Sequence, residues 1–328
     1  MSERVPPWKG GAVAVADWAI SKGDVAPTGL APSDPLFAGE WDLGACQMSV
    51  LGLVQVIERF PDTAERYLPA VRTCSAWLAS PDSRSFGAAR WGRDEFGAAY
   101  VGYSALALAR HQQIDRDFAH EAELDAMTEA LLADLDGPVY ELQTYPGEVY
   151  PPDIAVVAAA LTVAGHGEAV QAWLPAFREV AIDPDSGMLY QALSAVDGSP
   201  RDLPRGSGTA FAVYFAHYAD PELSAELYRA LEDRQRHLGP FGGVREYPVG
   251  VDGHGDIDSG PVLFGIGVSP TGFSLAGARL HGDRDSYLRN LRTARLFGLP
   301  VPARGGSWYA TGGGLGNAIL LAMSTAGS

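Results

Sequence analysis

Six short stretches of this 328-residue chain stand out, of which five carry aromatic rings and four carry carboxylates. The stretches are GEWD (39–42), WGRDEFGAAY (91–100), YPGEVYPPD (145–153), PRGSGT (204–209), REYPVGVDGHGDIDSG (245–260) and GGSWYATGGGLGN (305–317). They hold Glu40, Asp42, Asp94, Glu95, Glu148, Asp153, Glu246, Asp252, Asp256 and Asp258. Two carboxyl groups at the right separation can serve as a general acid and a base or nucleophile. Asp153 and Asp258 form the leading pair: each stands beside Gly or Pro at the start of an apolar helical segment. Asp is also the usual cap at such a position, which is the competing role for both. Glu246, flanked by Arg245 and Tyr247, is a third candidate, with an ion pair to Arg245 as its alternative. Asp256 is the upstream companion of Asp258.

The aromatic residues in the same stretches are Trp41, Trp91, Tyr100, Tyr145, Tyr150, Tyr247, Trp308 and Tyr309. Their faces stack on sugar rings or on extended hydrocarbon, and they stabilise cations. With Asp42, Arg205 and Asn317 they make the expected substrate-binding set, Trp308 rather than Tyr309 being the ring chosen from the last stretch.

Other chemistries are excluded or weakened. Lys9 and Lys22 are the only lysines, and no G-x-x-x-x-G-K-[ST] exists, which removes a P-loop. His254 is the only histidine in the six stretches, so a histidine-based triad has little support. No HExxH is present, and DGHGDID lacks the closing Glu of a calcium loop, so neither a metal nor a cofactor is expected. Net charge is −16 and the pI is near 4.7, which argues against nucleic acid and anionic membranes as partners. The N-terminal MSERVPPWKGG has no signal-peptide core, and no run of about 18 uninterrupted apolar residues occurs. The expectation is a cytoplasmic protein with no membrane span and a small-molecule or oligosaccharide substrate. Its oligomeric state is left open. Cys46 and Cys74 sit in apolar helical patterns and read as buried free thiols.

The clusters must be positioned by something regular, and a period supplies it. Apolar segments rich in small residues start near Glu40, Ala98, Pro151, Gly208, Gly260 and Gly313, at spacings of 52 to 58 residues. A repeat of this length signals stacked supersecondary units. A helix apolar on every face is buried on every face. Between these segments lie amphipathic ones, such as GEAVQAWLPAFREVA, DPELSAELYRALEDRQRHL and DRDSYLRNLRTARLF, each with one apolar stripe. The predicted fold is all-α: a closed (α/α)6 toroid in one domain spanning 1–328. GAVAVADWAISKG (11–23) supplies the sixth outer helix. FGGVREYPV is a candidate short hairpin.

This pattern resembles the six-hairpin toroids of the glycosidase superfamily. The resemblance covers the whole chain and is architectural. It implies inner helices of one polarity, whose N-terminal ends bring the six clusters to one mouth. It also implies a carbohydrate-active enzyme, a glycoside hydrolase or sugar epimerase, with Asp258 as acid and Asp153 or Glu246 as base. A second resemblance is local: DIDSG is similar to the D-x-D-D motif of class II terpene cyclases, with Ser259 breaking the fourth position. It implies the alternative of a terpenoid cyclase, hydratase or lyase in which Asp258 protonates an alkene. A third reading, a non-catalytic binding protein, predicts carboxylates that are scattered rather than paired.

Overall fold

A run that is apolar on every face has to be surrounded by protein, and six of these runs are. The structure is a computed structural model that describes residues 7–20, 35–84, 97–251, 253, 255–256, 259–303 and 306–327. Among the described residues the inner helices are α2 (Pro35–Arg59), α4 (Ala98–Gln112), α6 (Pro151–Leu161), α8 (Gly206–Ala219), α10 (Val268–Leu280) and α12 (Gly313–Thr325). The outer helices are α1 (Pro7–Ile20), α3 (Ala64–Ala79), α5 (Glu121–Leu135), α7 (Gly167–Ala181), α9 (Pro221–Glu232) and α11 (Arg284–Gly298). In α6 every residue except Asp153 is buried. The outer α9 instead buries one stripe, Leu223, Leu227 and Leu231 with Ser224 and Tyr228, at the three-to-four-residue spacing of an amphipathic helix.

The inner helices form a closed ring. Each packs on the next, from α2 through α4, α6, α8 and α10 to α12, and α12 packs back on α2. The closing contact is tight. A Cβ at Gly52 would lie 2.8 Å from Leu321 Cγ and 3.0 Å from the Ala322 backbone nitrogen, so only glycine lets α2 and α12 approach this closely. The N-terminal α1 packs on α12, α2 and α3, the place the ring leaves for a sixth outer helix. Asp220 and Asp283 cap α9 and α11, accepting from Glu222 N at 2.9 Å and Ser286 N at 3.0 Å.

At the C-terminal ends of the inner helices a polar network fills the ring. Gln55 Nε2 donates to the Tyr214 hydroxyl, and Thr325 Oγ1 donates to Gln55 Oε1 at 3.2 Å. The Tyr214 and Tyr218 hydroxyls are 3.1 Å apart. Arg110 sits 5.6 Å from the Tyr218 ring centroid and 2.5 Å from Glu58. Each group thus exchanges water for a partner inside the ring.

Four sequence expectations need correction. The fifth inner helix begins at Val268, not near Gly260. The intervening residues form β5 (Val262–Leu263) and β6 (Ile266–Gly267), turned through Phe264 and Gly265 at φ 53° and 78°. Those strands join β3 (Gln235–Leu238) and β4 (Phe241–Arg245) in a sheet of order β3-β4-β6-β5, so the expected hairpin is part of something larger. RQRHL leaves the outer-helix pattern because residues 235–238 pair with β4. Finally, Cys46 of α2 and Cys74 of α3 form a disulfide, not free thiols; facing helices place their Cα atoms 5.1 Å apart.

Shorter pairs join β1 (Glu148–Val149), before α6, to β2 (Leu193–Ser194), before α8, and β7 (Pro300–Ala303) to β8 (Gly306–Tyr309), both before α12. The run Pro151–Ala181 is long and apolar enough to cross a membrane by composition. It is not one rod, however: residues 162–166 form a π-type corner where Gly165 adopts φ 99°. The run therefore divides into inner α6 and outer α7.

Candidate active site

All six inner helices contribute to a cavity of about 490 Å3 near their N-terminal ends. Glu40, Trp41, Asp42 and Met48 come from α2, Tyr103 from α4, and Asp153 from α6. Ser207, Gly208 and Phe211 come from α8, Phe273 from α10 and Leu315 with Ile319 from α12. Tyr145 and Tyr150 reach in from the loop before α6, and Trp18 reaches in from α1.

Asp153 follows Pro151 and Pro152, which open α6 where no backbone N–H partner is needed. The Tyr103 hydroxyl donates to its Oδ1. Glu40 is held from two sides: Tyr145 donates to Oε1 at 2.6 Å and Tyr100 donates to the same oxygen at 3.2 Å. The three phenols form a connected wall. Tyr100 and Tyr145 meet edge-on at 6.1 Å between centroids, and Tyr145 and Tyr150 do so at 5.4 Å. Burial, and then the negative charge of Glu40, raises the Tyr145 and Tyr100 phenols. Burial and then Asp153 raise Tyr103. These hydroxyls stay protonated at any physiological pH and act as fixed donors. Both carboxylates act on Tyr100 and on Tyr103, so Glu40 and Asp153 share one electrostatic environment.

Gly208 is required by this packing. A Cβ there would lie 2.4 Å from Gln191 Oε1 and 2.6 Å from Pro152 Cγ. Gln191, only 5% exposed, is thereby pressed into the wall between α6 and α8.

The predicted residues divide into groups. Trp41, Asp42, Tyr145, Tyr150 and Asp153 line the cavity, and Tyr100 stands buried behind it holding Glu40. Arg205, Tyr247 and Asp256 form a separate cluster that does not line it. Arg205 pairs with Asp202 and Asp256 and lies 5.4 Å from the Tyr247 ring centroid. Burial works against the Asp256 charge, but the Ser259 N–H and Arg205 hold its carboxyl below the ordinary range.

Glu246 is fully buried and also absent from the lining. Its partner is Ser207, which donates from Oγ at 2.7 Å and from N at 3.0 Å; it is not Arg245. Burial pushes its carboxyl up to about 7, against the pull of those bonds. Asn317 is spent on structure: it joins Tyr309 N and O, each at 2.9 Å, and Gly313 O at 2.7 Å. Trp308 lies on β8 opposite Val301, away from the cavity lining. Asp258 and Trp91 lie outside the described residues, as do Asp94, Glu95, Asp252 and His254.

Sequence reasoning passed over Tyr103, Gln191 and Trp18. Tyr103 had a signal, since it stands three residues after Tyr100 and so on the same helix face. Gln191 lies in irregular chain between α7 and α8 and gave none. Glu40 was one carboxylate among ten, and nothing local marked it above the rest. Among the described residues no group of three His, Cys, Asp or Glu side chains could hold a metal ion.

No protein-family model and no curated protein sequence matches the chain. Solved structures do. An inactive variant of the GH76A α-1,6-mannanase of Salegentibacter sp. HEL1_6, in complex with α-1,6-mannotriose, superposes with a TM-score of 0.59 at 12% identity. That match covers 97% of this chain and 99% of the other. The unsaturated glucuronyl hydrolase of Bacillus sp. GL1 superposes with a TM-score of 0.60 at 13% identity, covering 96% of each chain. A family 105 glycoside hydrolase of C. acetobutylicum ATCC 824 gives 0.57 at 12% identity, covering 97% and 98%. The fold of this chain is the α/α toroid seen in these glycoside hydrolases.

Proposed function

We propose that this chain is a carbohydrate-active enzyme, a hydrolase that cleaves a glycosidic bond in an oligosaccharide with Glu40 and Asp153 as its working carboxylates. One observation carries this reading: two carboxylates, each held by tyrosine hydroxyls, share an aromatic-walled cavity at the inner-helix N-termini. Glu40 accepts two phenol hydrogen bonds, which favour its charged form, so it acts as base or nucleophile. Asp153, which accepts from Tyr103 in the same cavity, is then the acid that delivers a proton to the leaving oxygen. Trp41, Tyr150 and Trp18 offer faces for sugar rings.

Asp42, Gln191, Ser207 and Ser269 add polar groups to the lining, and these suit hydroxylated rings better than an alkene. No Arg, Lys or His side chain lines the cavity among the described residues. Glu40, Asp42 and Asp153 put three carboxylates in the lining, which favours a neutral glycan over a uronate, whose charge they would repel. The Cys46–Cys74 disulfide favours an oxidising compartment, where such bonds persist.

The test is product release from neutral α- and β-linked oligosaccharides and from uronate-containing ones, followed chromatographically. Asp153→Asn and Glu40→Gln are expected to lower turnover by about 10²–10⁴-fold with folding retained by circular dichroism. Wild-type rates in both variants, or cleavage confined to uronates, would overturn the respective part of the proposal.

A further inference from the structure

A second cavity, of about 350 Å3, lies on the far side of α12 from the mouth, along the seam between α11 and the N-terminal α1. Three arginines line it: Arg59 at the end of α2, Arg279 on α10 and Arg295 on α11. Among the described residues no carboxylate side chain lines it, and none of the three arginines forms an ion pair. In a chain of net charge −16 this is the reverse of the average surface. Elsewhere Arg72, Arg110, Arg178, Arg201, Arg205 and Arg289 are each paired with Asp or Glu.

The three engagements these arginines do make leave their forks largely unused. Arg279 gives Nε to the Ala326 carbonyl and also bonds the Tyr287 side chain, which leaves part of its fork. Arg59 lies 5.9 Å from the Phe60 ring centroid, a contact that uses the guanidinium face and not its N–H groups. Tyr287, which lines the cavity with Arg279 and Arg295, has its phenol raised by burial and drawn back by those two charges. Like charges gathered this way repel one another, and a bound anion removes that cost.

We propose that this seam binds a phosphate monoester. A phosphoryl group presents three acceptor oxygens and close to two negative charges, which matches three arginine forks. The cavity is larger than a phosphate needs, and its remaining wall is Tyr287, Tyr309, Phe60 and Leu320. That wall accommodates a compact organic body on the ester. The site is separate from the mouth and does not depend on the reaction assigned there.

Titration calorimetry on the full chain, with inorganic phosphate, glucose 6-phosphate and glucose at constant ionic strength, tests this. Glucose 6-phosphate is expected to bind, and Arg295→Gln is expected to weaken that binding about tenfold, the loss of one charge-assisted hydrogen bond. Arg59→Gln, at an exposed position, should act in the same direction. Glucose binding and the melting temperature in chloride should be the same in wild type and both variants. Equal affinity for inorganic phosphate and the ester would keep the anion site and overturn the organic part of the assignment. No phosphate binding by wild type at millimolar concentration, or unchanged affinity in both variants, would overturn the site itself.

Discussion

The indole of Trp18 packs directly on Gly314, across the junction of the first helix and the last. A Cβ at Gly314 would lie 2.7 Å from Trp18 Cε2 and 2.8 Å from Cζ2, and both residues line the mouth cavity. The outer helix that closes the ring therefore also supplies a wall of the site. Gly314→Ala sets two effects against each other. Alanine favours α12 by about 0.5–1 kcal/mol, while crowding a packed ring costs about 1–3 kcal/mol. The net change in stability is expected to be small, because the indole can move. The displaced ring enters the cavity, so the expected result is weaker oligosaccharide binding with a melting temperature within a few degrees of wild type. Unaltered binding in a calorimetric titration would show that Trp18 does not shape the site.

Glu40 depends most on Tyr145, whose hydroxyl is 2.6 Å from Oε1. Tyr145→Phe removes this donor and leaves the ring that packs between Tyr100 and Tyr150. A hydrogen bond to a charged group contributes about 1.5–3 kcal/mol, so turnover should fall by about ten- to a hundredfold. Since the Tyr145 ring remains to pack on substrate, the loss should appear in kcat more than in KM. Steady-state kinetics on a cleaved oligosaccharide would check this; a loss in KM alone would make Tyr145 a binding residue only.

How much of this was legible follows from what periodicity can carry. The six apolar runs and their amphipathic partners marked the ring, because burial on all faces leaves a composition that local chain cannot hide. The mouth was readable for the same reason: helices of one polarity bring Trp41, Tyr145, Tyr150 and Asp153 together. Asp153 was visible as the acidic residue beside Pro at the start of an apolar run, and it is the one residue of α6 that is not buried. The cluster on residues 245–260 was misread, because a β-sheet replaces the expected helix start there and carries Glu246 away from the cavity, under α8. Asn317 looked the same in sequence whether it faced substrate or pinned Tyr309. Only three-dimensional placement separates those roles, and it also explains why the disulfide was missed: nothing in a spacing of 28 residues says that two helix faces meet.

The Cys46–Cys74 pair gives a direct test of that contact. Both residues are completely buried, so reagents should not reach them in the native protein. Thiol titration in denaturant without reductant is expected to find no free thiol, and two after reduction. Closing a loop of this separation stabilises the fold by about 3–4 kcal/mol on the chain-entropy account. Reduced protein should therefore melt at a lower temperature than oxidised protein. Two thiols titrating without reductant would mean the sulfurs are packed together but not bonded.

Glu246 gives the pH dependence. Its carboxyl is raised from an ordinary value of 4.5 to about 7, chiefly by burial. The folded state therefore holds a proton that the unfolded chain gives up first. The resulting contribution to stability is complete below about pH 4.5 and is lost as pH rises through about 7. The full difference corresponds to on the order of 3 kcal/mol. Glu246→Gln stays neutral at every pH while its amide oxygen still accepts from Ser207. Measured against wild type in urea, the variant should gain in relative stability as pH rises from about 4.5 to about 7, with little further change above pH 8. Chain regions far from Glu246 titrate alike in both proteins and cancel in the comparison. A constant stability difference across that range would mean that Glu246 is ionised throughout and that the Ser207 hydrogen bonds, not burial, set its charge.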